Sequence, residues 1–470
     1  MIAFFTLLNF LPTIAPGGLS EAEMQSAIQS DAISGNFLQE GRVVDLPYHL
    51  LQKASISIFG LSLYSIKLPS IIIGVLTGFF IVLLLNRWFK SDVAIVGSIL
   101  ILLSTAFLYL AGSGTPLIMI VFWLALLLWM GSKIVGNDKT PPLLTIGFVL
   151  SLALSLYTPH LFYVAAGIAV AGILHPHLRF SLKQLKLYQL IICIGIAAIT
   201  IAPLVIGCIF NHDAIQELTW MKDFNFNNLV HNVSTAFAPF FSFSLAYDSV
   251  YLAPLFGLAN IVLVIIGVLA SIGKLFTSRN TVVSLLTIFA IIVSGLNQNI
   301  AIAIIIPITV LSAAGLESII EKWHSLFPEN PYAHFIGTMP IVVVVLMIVF
   351  SGLSHFVFGY HYTPRVAKNF SDDINIIQDN LKGGTILIVD KDNEDLDFYR
   401  LLDKHGDFTV LTEVPEQVGE DKIAMLGNTT DREDLALKQI ITSSKTRNSD
   451  RLYIYEKVIP AEKTEEEKGE

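Results

Sequence analysis

Phe59-Gly60-Leu61-Ser62-Leu63-Tyr64-Ser65-Ile66-Lys67-Leu68-Pro69-Ser70-Ile71-Ile72-Ile73-Gly74 is where this chain passes from polar loop to apolar run. No charged residue follows Lys67 until Arg87. That interval is close to the roughly 20 apolar residues a helix needs to cross hydrocarbon. The same reading extended outward gives apolar runs near 93–112, 115–135, 142–157, 160–175, 188–210, 251–273, 281–297, 299–318 and 337–358, besides 68–87. One more, near 1–16, is short and begins at the initiator Met; it resembles a signal-peptide core without a clean small-x-small cleavage site after it. The expectation is an all-α polytopic body of about eleven spans. The pair 142–157 and 160–175, joined only by Thr158 and Pro159, equally fits one re-entrant hairpin.

Composition agrees with a membrane body. The chain has 470 residues, 54% apolar and 14% charged, against roughly a quarter charged in soluble domains. A soluble enzyme, a nucleic-acid binder and a disordered protein are excluded. Residues 361–470 hold 24 of the 38 acids and 15 of the 29 bases, so the whole net charge of −9 resides there and residues 1–360 are neutral. The chain divides into a neutral body, 1–360, and an acidic tail. Cys193 and Cys208 share one apolar run; fifteen helical residues separate them by about 22 Å, too far for a disulfide.

Basic residues set the orientation. With the N-terminus cytoplasmic, ten bases from Arg87 to Lys322 fall in inner loops, and Arg42, Lys53, Lys67 and Lys222 in outer ones. Eleven spans then place the tail outside the cell membrane. The two long outer loops, 17–67 and 211–250, are where chemistry is expected.

The first loop carries the candidate site. Ser20 with Glu23 three residues on is a capping box, so Glu21 and Glu23 fall in the first turn of a helix, where its dipole favours carboxylates. Glu40, Arg42, Asp45 and His49 follow in an extended turn, and Lys67 stands at the mouth of the next span. His160 follows Thr158-Pro159 on the outer side. The second outer loop contributes His212, Asp213, Glu217, Trp220, Lys222, Asp223, His231 and Tyr247-Asp248, with aromatics alternating with amides at 224–228; that pattern suits a sugar and equally an interfacial belt. His175 and His177 have no third ligand in sequence, so no metal site is indicated. Almost no charge lies inside the spans, which disfavours an ion-coupled transporter.

Ser20-Glu21-Ala22, Asp45-Leu46-Pro47-Tyr48, Phe59-Gly60-Leu61-Ser62 and Lys67-Leu68-Pro69-Ser70, in this order around the second span, resemble the GT-C membrane glycosyltransferases. The nearest branch is the bacterial protein-mannosyltransferase and aminoarabinose-transferase-like group. Ile306-Pro307 to Leu316 resembles that family's late Pro-containing span. The resemblance implies a GT-C-like body that takes a sugar from a polyprenyl-phosphate donor, at the lipid bilayer, and attaches it with inversion to an extracytoplasmic glycan, lipid or protein. It implies a catalytic carboxylate at the first-loop turn. Ser20 stands where the family carries Asp, so Glu21 is the candidate general base. Glu23, Glu40, Arg42, Asp45, His49, Lys67 and His160 are candidate substrate contacts. Asn297-Gln298-Asn299 replaces the family's basic or aromatic pair. No cofactor is called for. The alternatives are a catalytically degenerate scaffold and a transporter.

The tail reads as a small α/β domain over 361–460. Strands are expected at 385–390, 408–412, 422–426 and 451–456, helices at 394–404 and 431–441, and a charged, disordered end at 461–470. The run Asp390 to Asp395 lacks the glycine and the terminal glutamate of a calcium loop.

Overall fold

The computed structural model describes residues 18–135, 141–174, 186–219, 229–241, 245–247, 250–252, 258–273, 277–295, 298–326, 329, 331–362, 370–371, 373–381, 384–415, 422–427, 429–430, 432–442 and 451–457. The apolar run at 1–16, His175, His177, Trp220, Lys222, Asp223, Asp248, Asn297 and residues 461–470 lie outside them.

The body is helical. Strand β1 (Leu19–Ser20) leads into α1 (Glu21–Asp31), followed by α2 (Leu46–Phe59) and α3 (Leu63–Trp88). Next come α4 (Ser91–Leu102), α5 (Thr105–Gly112), α6 (Ile118–Val135), α7 (Pro142–Ser155), α8 (Leu161–Leu174), α9 (Leu187–Phe210) and α10 (His212–Thr219). After α11 (Leu229–Phe241) and the hairpin of β2 (Leu245–Tyr247) and β3 (Val250–Leu252), the body closes with α12 (Leu258–Ile272), α13 (Ser278–Ser294), a 3₁₀ segment (Gln298–Ile304), α14 (Ile305–Leu326) and α15 (Pro331–Tyr362).

Among the described residues four helical segments are long and apolar enough to cross a membrane: α3, α6, α9 and 301–326. Five shorter apolar helices lie within α7, α8, α12, α13 and α15. The run expected at 93–112 is a pair, α4 and α5, bent by 61°. The cause is local. The Ser104 hydroxyl donates to Ile101 O at 2.7 Å, closing α4, and accepts from Phe107 N–H at 3.4 Å, opening α5. Every residue of α5 is buried, which makes this short helix the centre of the body. Around it pack α3, α6 and the 301–316 segment in one apolar core. Helices α12 and α14 approach backbone to backbone at paired glycines: a Cβ on Gly267 would lie 1.9 Å from Leu311 O, and one on Gly315 would lie 2.1 Å from Leu263 O. Small residues permit such contact where hydrocarbon offers no hydrophobic drive to hold helices together.

The tail begins with β4 (Phe370–Ser371), which pairs antiparallel with β1 of the first loop, and α16 (Asp373–Asn380). A five-stranded sheet follows in the order β6-β5-β7-β9-β8, built from β5 (Ile386–Ile388), β6 (Thr409–Leu411), β7 (Ile423–Leu426), β8 (Leu435–Ile441) and β9 (Leu452–Lys457), with α17 (Leu396–His405) between β5 and β6. The helix expected over 431–441 is instead strand β8. Its Ala, Leu, Lys and Gln favour helix locally, but antiparallel pairing with β9 from Leu435 to Ile441 overrides that preference. One core joins Leu387, Val389, Phe398 and Tyr399 of the tail to Leu19, Met24, Ala27 and Ile66 of the first loop and α3. The tail braces that loop.

Candidate active site in the first loop

Ser20 and Glu23 form the capping box the sequence implies. Ser20 N–H donates to Glu23 Oε2 at 2.8 Å, and Glu23 N–H donates to Ser20 Oγ at 3.4 Å. The other carboxylate oxygen of Glu23 accepts Gly114 N–H at 2.6 Å and lies 3.3 Å from Lys67 Nζ, with both side chains 2% exposed. Glu23 and Lys67 are therefore a buried ion pair that ties α1 to α3 and to the turn after α5. Desolvating two charges is repaid only when their remaining hydrogen-bond capacity is filled; here the cap and the Gly114 amide do so for Glu23.

Gln52 is the second knot. Its Oε1 accepts from Ser26 Oγ at 2.9 Å and Ser30 Oγ at 2.6 Å. Its Nε2 donates to Ile66 O at 2.9 Å and Gly114 O at 3.0 Å. All four bonds an amide side chain can make are made. Because Ser30 gives its one proton to Gln52, the His49 Nδ1–H donates to Ser30 Oγ, 2.8 Å away. Burial holds the His49 imidazole down at about 4, so it is neutral at pH 7. Gln52 and Gly114 escaped the sequence reading. The signal was an amide three residues after His49 in the same helix.

A separate cluster joins the first loop to the 157–160 turn and to α10. Asp45 sits in the left-handed region, φ 48°, and its N–H donates to Tyr157 O at 2.8 Å. His160, φ 65°, donates its N–H to Leu218 O of α10 at 2.9 Å. These are the two non-glycine residues with positive φ among the described residues, and the 157–160 turn links them. Such conformations persist only where surrounding structure enforces them. Here Ile33, Val43, Leu46, Tyr157, Leu204 and Leu218 pack into one cluster that holds both turns. Burial pushes the Asp45 carboxyl well above the usual carboxylate range, and the Glu217 carboxylate pushes it further. Its Oδ1 is buried with no hydrogen-bond partner among the described residues. Burial also holds His160 down at about 4.

The other candidates are on the surface. Arg42 Nε pairs with Glu40 Oε2 at 2.8 Å, both side chains well exposed. Glu21 is exposed in the first turn of α1. His212, Asp213 and Glu217 are exposed on α10. No cluster of three or more His, Cys, Asp or Glu fit to hold a metal occurs among the described residues.

The crystal structure of ArnT from Cupriavidus metallidurans bound to undecaprenyl phosphate superposes over 97% of both chains, with TM-score 0.51 and 12% identity. Its apo form gives 0.52 and 11% over the same share. The chain has the GT-C glycosyltransferase fold. The sequence profile of the dolichyl-phosphate-mannose-protein mannosyltransferase family matches residues 47–206. An archaeal oligosaccharyltransferase, AglB from Archaeoglobus fulgidus in complex with an inhibitory peptide and a dolichol-phosphate, matches 87% of this chain and 64% of its own, at TM-score 0.48 and 13% identity. No curated protein sequence matches. Within the GT-C fold, the matched stretch contains Lys67, Gly114 and His160, whereas Glu21, Glu23, Glu40, Arg42 and Asp45 precede it.

The Asp45 cluster makes a testable statement about stability. A carboxyl whose folded pKa is raised binds its proton more tightly when folded, so stability is lost as pH rises from the ordinary carboxyl value through the folded one. Asp45→Asn keeps the left-handed preference and removes the charge. We expect it to raise the unfolding midpoint in mildly alkaline buffer, with the gain vanishing as pH falls toward about 4. A loss at every pH, read by tryptophan fluorescence in detergent, would mean that the carboxylate makes a contact the fold requires.

Proposed function

We propose that this protein transfers a sugar from a polyprenyl-phosphate donor to a hydroxyl-bearing acceptor outside the membrane, a glycan, lipid or protein, with inversion and with Glu21 as general base. The observation that carries the proposal is the GT-C fold over nearly the whole chain, together with an exposed carboxylate on the turn whose neighbour is fully engaged. The acceptor oxygen bonds to the anomeric carbon as the bond from that carbon to the phosphate oxygen breaks. The acceptor proton passes to the Glu21 carboxylate, and the electron pair leaves on polyprenyl phosphate. A base must reach the acceptor through water or at close contact, which Glu21 can do and Glu23 cannot. The departing phosphate needs positive charge. Arg42 is available, because an exposed pair such as its contact with Glu40 is worth only about 0–1 kcal/mol. Lys67 becomes available only if its pair with Glu23 opens. Both His49 and His160 are neutral at pH 7, so they serve as hydrogen-bonding groups.

Native mass spectrometry on protein gently extracted from its own membrane tests the donor class. A bound species with the mass of a polyprenyl phosphate, with or without a sugar, is the expected result. Bulk phospholipid alone, even after polyprenyl-phosphate sugars are added, would replace the proposal with a non-catalytic scaffold. The orientation is proposed from the distribution of bases: N-terminus cytoplasmic, first loop and tail outside, in the cell membrane. A reporter fused after residue 470 is expected to be extracytoplasmic; a cytoplasmic signal would reverse the loop assignment.

A further inference from the structure

Between Glu21 and Glu40 the first loop carries two acids, Glu23 and Asp31, and no base. Both acids are turned inward and paired. Glu23 is spent on Lys67 and the Gly114 amide. The Asp31 carboxylate meets Lys404 Nζ of α17 at 2.5 Å and His405 Nε2 at 3.0 Å. Lys53 of α2 is drawn in as well, donating to Asp31 O at 3.2 Å and to Ile33 O.

What this stretch leaves on the surface is polar and uncharged. Its exposed residues are Gln25, Gln29, Ser34, Gly35, Asn36 and Gln39. Gln25 and Gln29 follow Glu21 at intervals of four, so the three side chains share one face of α1, over about 12 Å at about 1.5 Å per residue. The turns of 34–39 carry on from the end of that helix, with Phe37 N–H donating to Ser34 O at 3.2 Å and Gln39 N–H to Asn36 O at 2.9 Å. None of the four amide side chains makes a hydrogen bond with a described residue, so each keeps two donors and an acceptor for a ligand.

The chemistry of this row selects among acceptors. A hydroxyl both donates and accepts, as a primary amide does, so free amides in a row suit a polyhydroxylated chain. An anionic acceptor would set its charge beside Glu21 with no base in the stretch to offset it; Lys53, Lys67 and Lys404 are engaged, and Arg42 stands beyond the row beside Glu40. A protein acceptor would find no exposed apolar side chain from 21 to 39 against which to pack an anchor residue.

We infer that Gln25, Gln29, Asn36 and Gln39 bind the acceptor, and that the acceptor is a neutral glycan lying along α1 with its reacting hydroxyl at Glu21. The inference rests on Glu21 as general base and goes further by fixing the charge and class of the acceptor. The amides orient the chain through its hydroxyls and take no part in the proton transfer.

The test uses the full chain in phosphatidylcholine nanodiscs, which carry no sugar headgroup to compete, applied to a printed array of neutral and acidic oligosaccharides. Binding to neutral oligosaccharides is expected. The Gln25→Ala, Gln29→Ala double variant should weaken it about 10–100-fold, the effect of removing two neutral hydrogen bonds, with its unfolding midpoint kept, because both side chains are exposed and alanine suits a helix. Binding confined to acidic oligosaccharides would overturn the inference, as would binding to none, or neutral binding that the double variant leaves intact. Should that variant unfold, Asn36→Ala with Gln39→Ala repeats the test at the other end of the row, with the same loss expected. Binding needs no donor, so the two readings fail separately: neutral binding lost in the variant, on a protein that carries no polyprenyl phosphate, would keep the glycan site and remove the transfer reaction.

Discussion

Lys67→Met is expected to destabilise this protein severely, by about 3–5 kcal/mol, because it strands the Glu23 carboxylate in the interior without its cation. Total stabilities are about 5–15 kcal/mol, so the loss is a large share. Both side chains are 2% exposed, which leaves water little room to replace the ammonium. The Glu23→Gln, Lys67→Met double variant should recover part of the loss. The amide oxygen still accepts the Gly114 N–H and no buried charge remains, at the cost of the bond from Ser20 N–H, which then faces the amide nitrogen. Unfolding in detergent, followed by tryptophan fluorescence, measures both variants. If Lys67→Met instead kept its midpoint and lost transfer, Lys67 would act on the donor phosphate, and its contact with Glu23 would be a resting arrangement.

Glu21→Gln should have the opposite profile: transfer falls by about 10²–10⁴-fold, the range for removal of a general base, while the unfolding midpoint moves little. The side chain is exposed and holds no hydrogen bond or ion pair with a described residue, so the fold loses only the helix-dipole contribution of a first-turn carboxylate, about 0.3–1 kcal/mol. Glutamine keeps the size and the polar contacts but cannot accept a proton as a carboxylate does. Wild-type transfer by this variant, measured with a polyprenyl-phosphate sugar, would remove Glu21 as the base. The contrast between Glu21 and Glu23, two residues apart, separates chemistry from support: one variant should alter chiefly the rate, the other the fold.

Much of the architecture was legible in the sequence. Apolar runs mark helices because hydrocarbon tolerates only backbones that satisfy their own hydrogen bonds. The capping box at Ser20 and Glu23 was legible because its partners are three residues apart. The break after Leu103 was not, since a serine within an apolar run reads as a tolerated polar residue until its hydroxyl is seen closing one helix and opening the next. In the tail, residues 435–441 carry helix-forming side chains, and their strand identity is set by β9.

The candidate site divides in the same way. Sequence alone marked an acidic turn, a basic residue at the mouth of an apolar run and a histidine turn, because each is a local departure from apolar patterning. Only the tertiary structure decided what they do to one another. Glu23 and the Gly114 amide are 91 residues apart, and no local pattern foretells that one carboxylate will be consumed by that amide and by Lys67. Asp45 and the 157–160 turn meet through a backbone bond that exists only once α9 and α10 have packed against the first loop. Burial and pairing, which are properties of the folded whole, engage Glu23 and Lys67 with each other and leave Glu21 exposed.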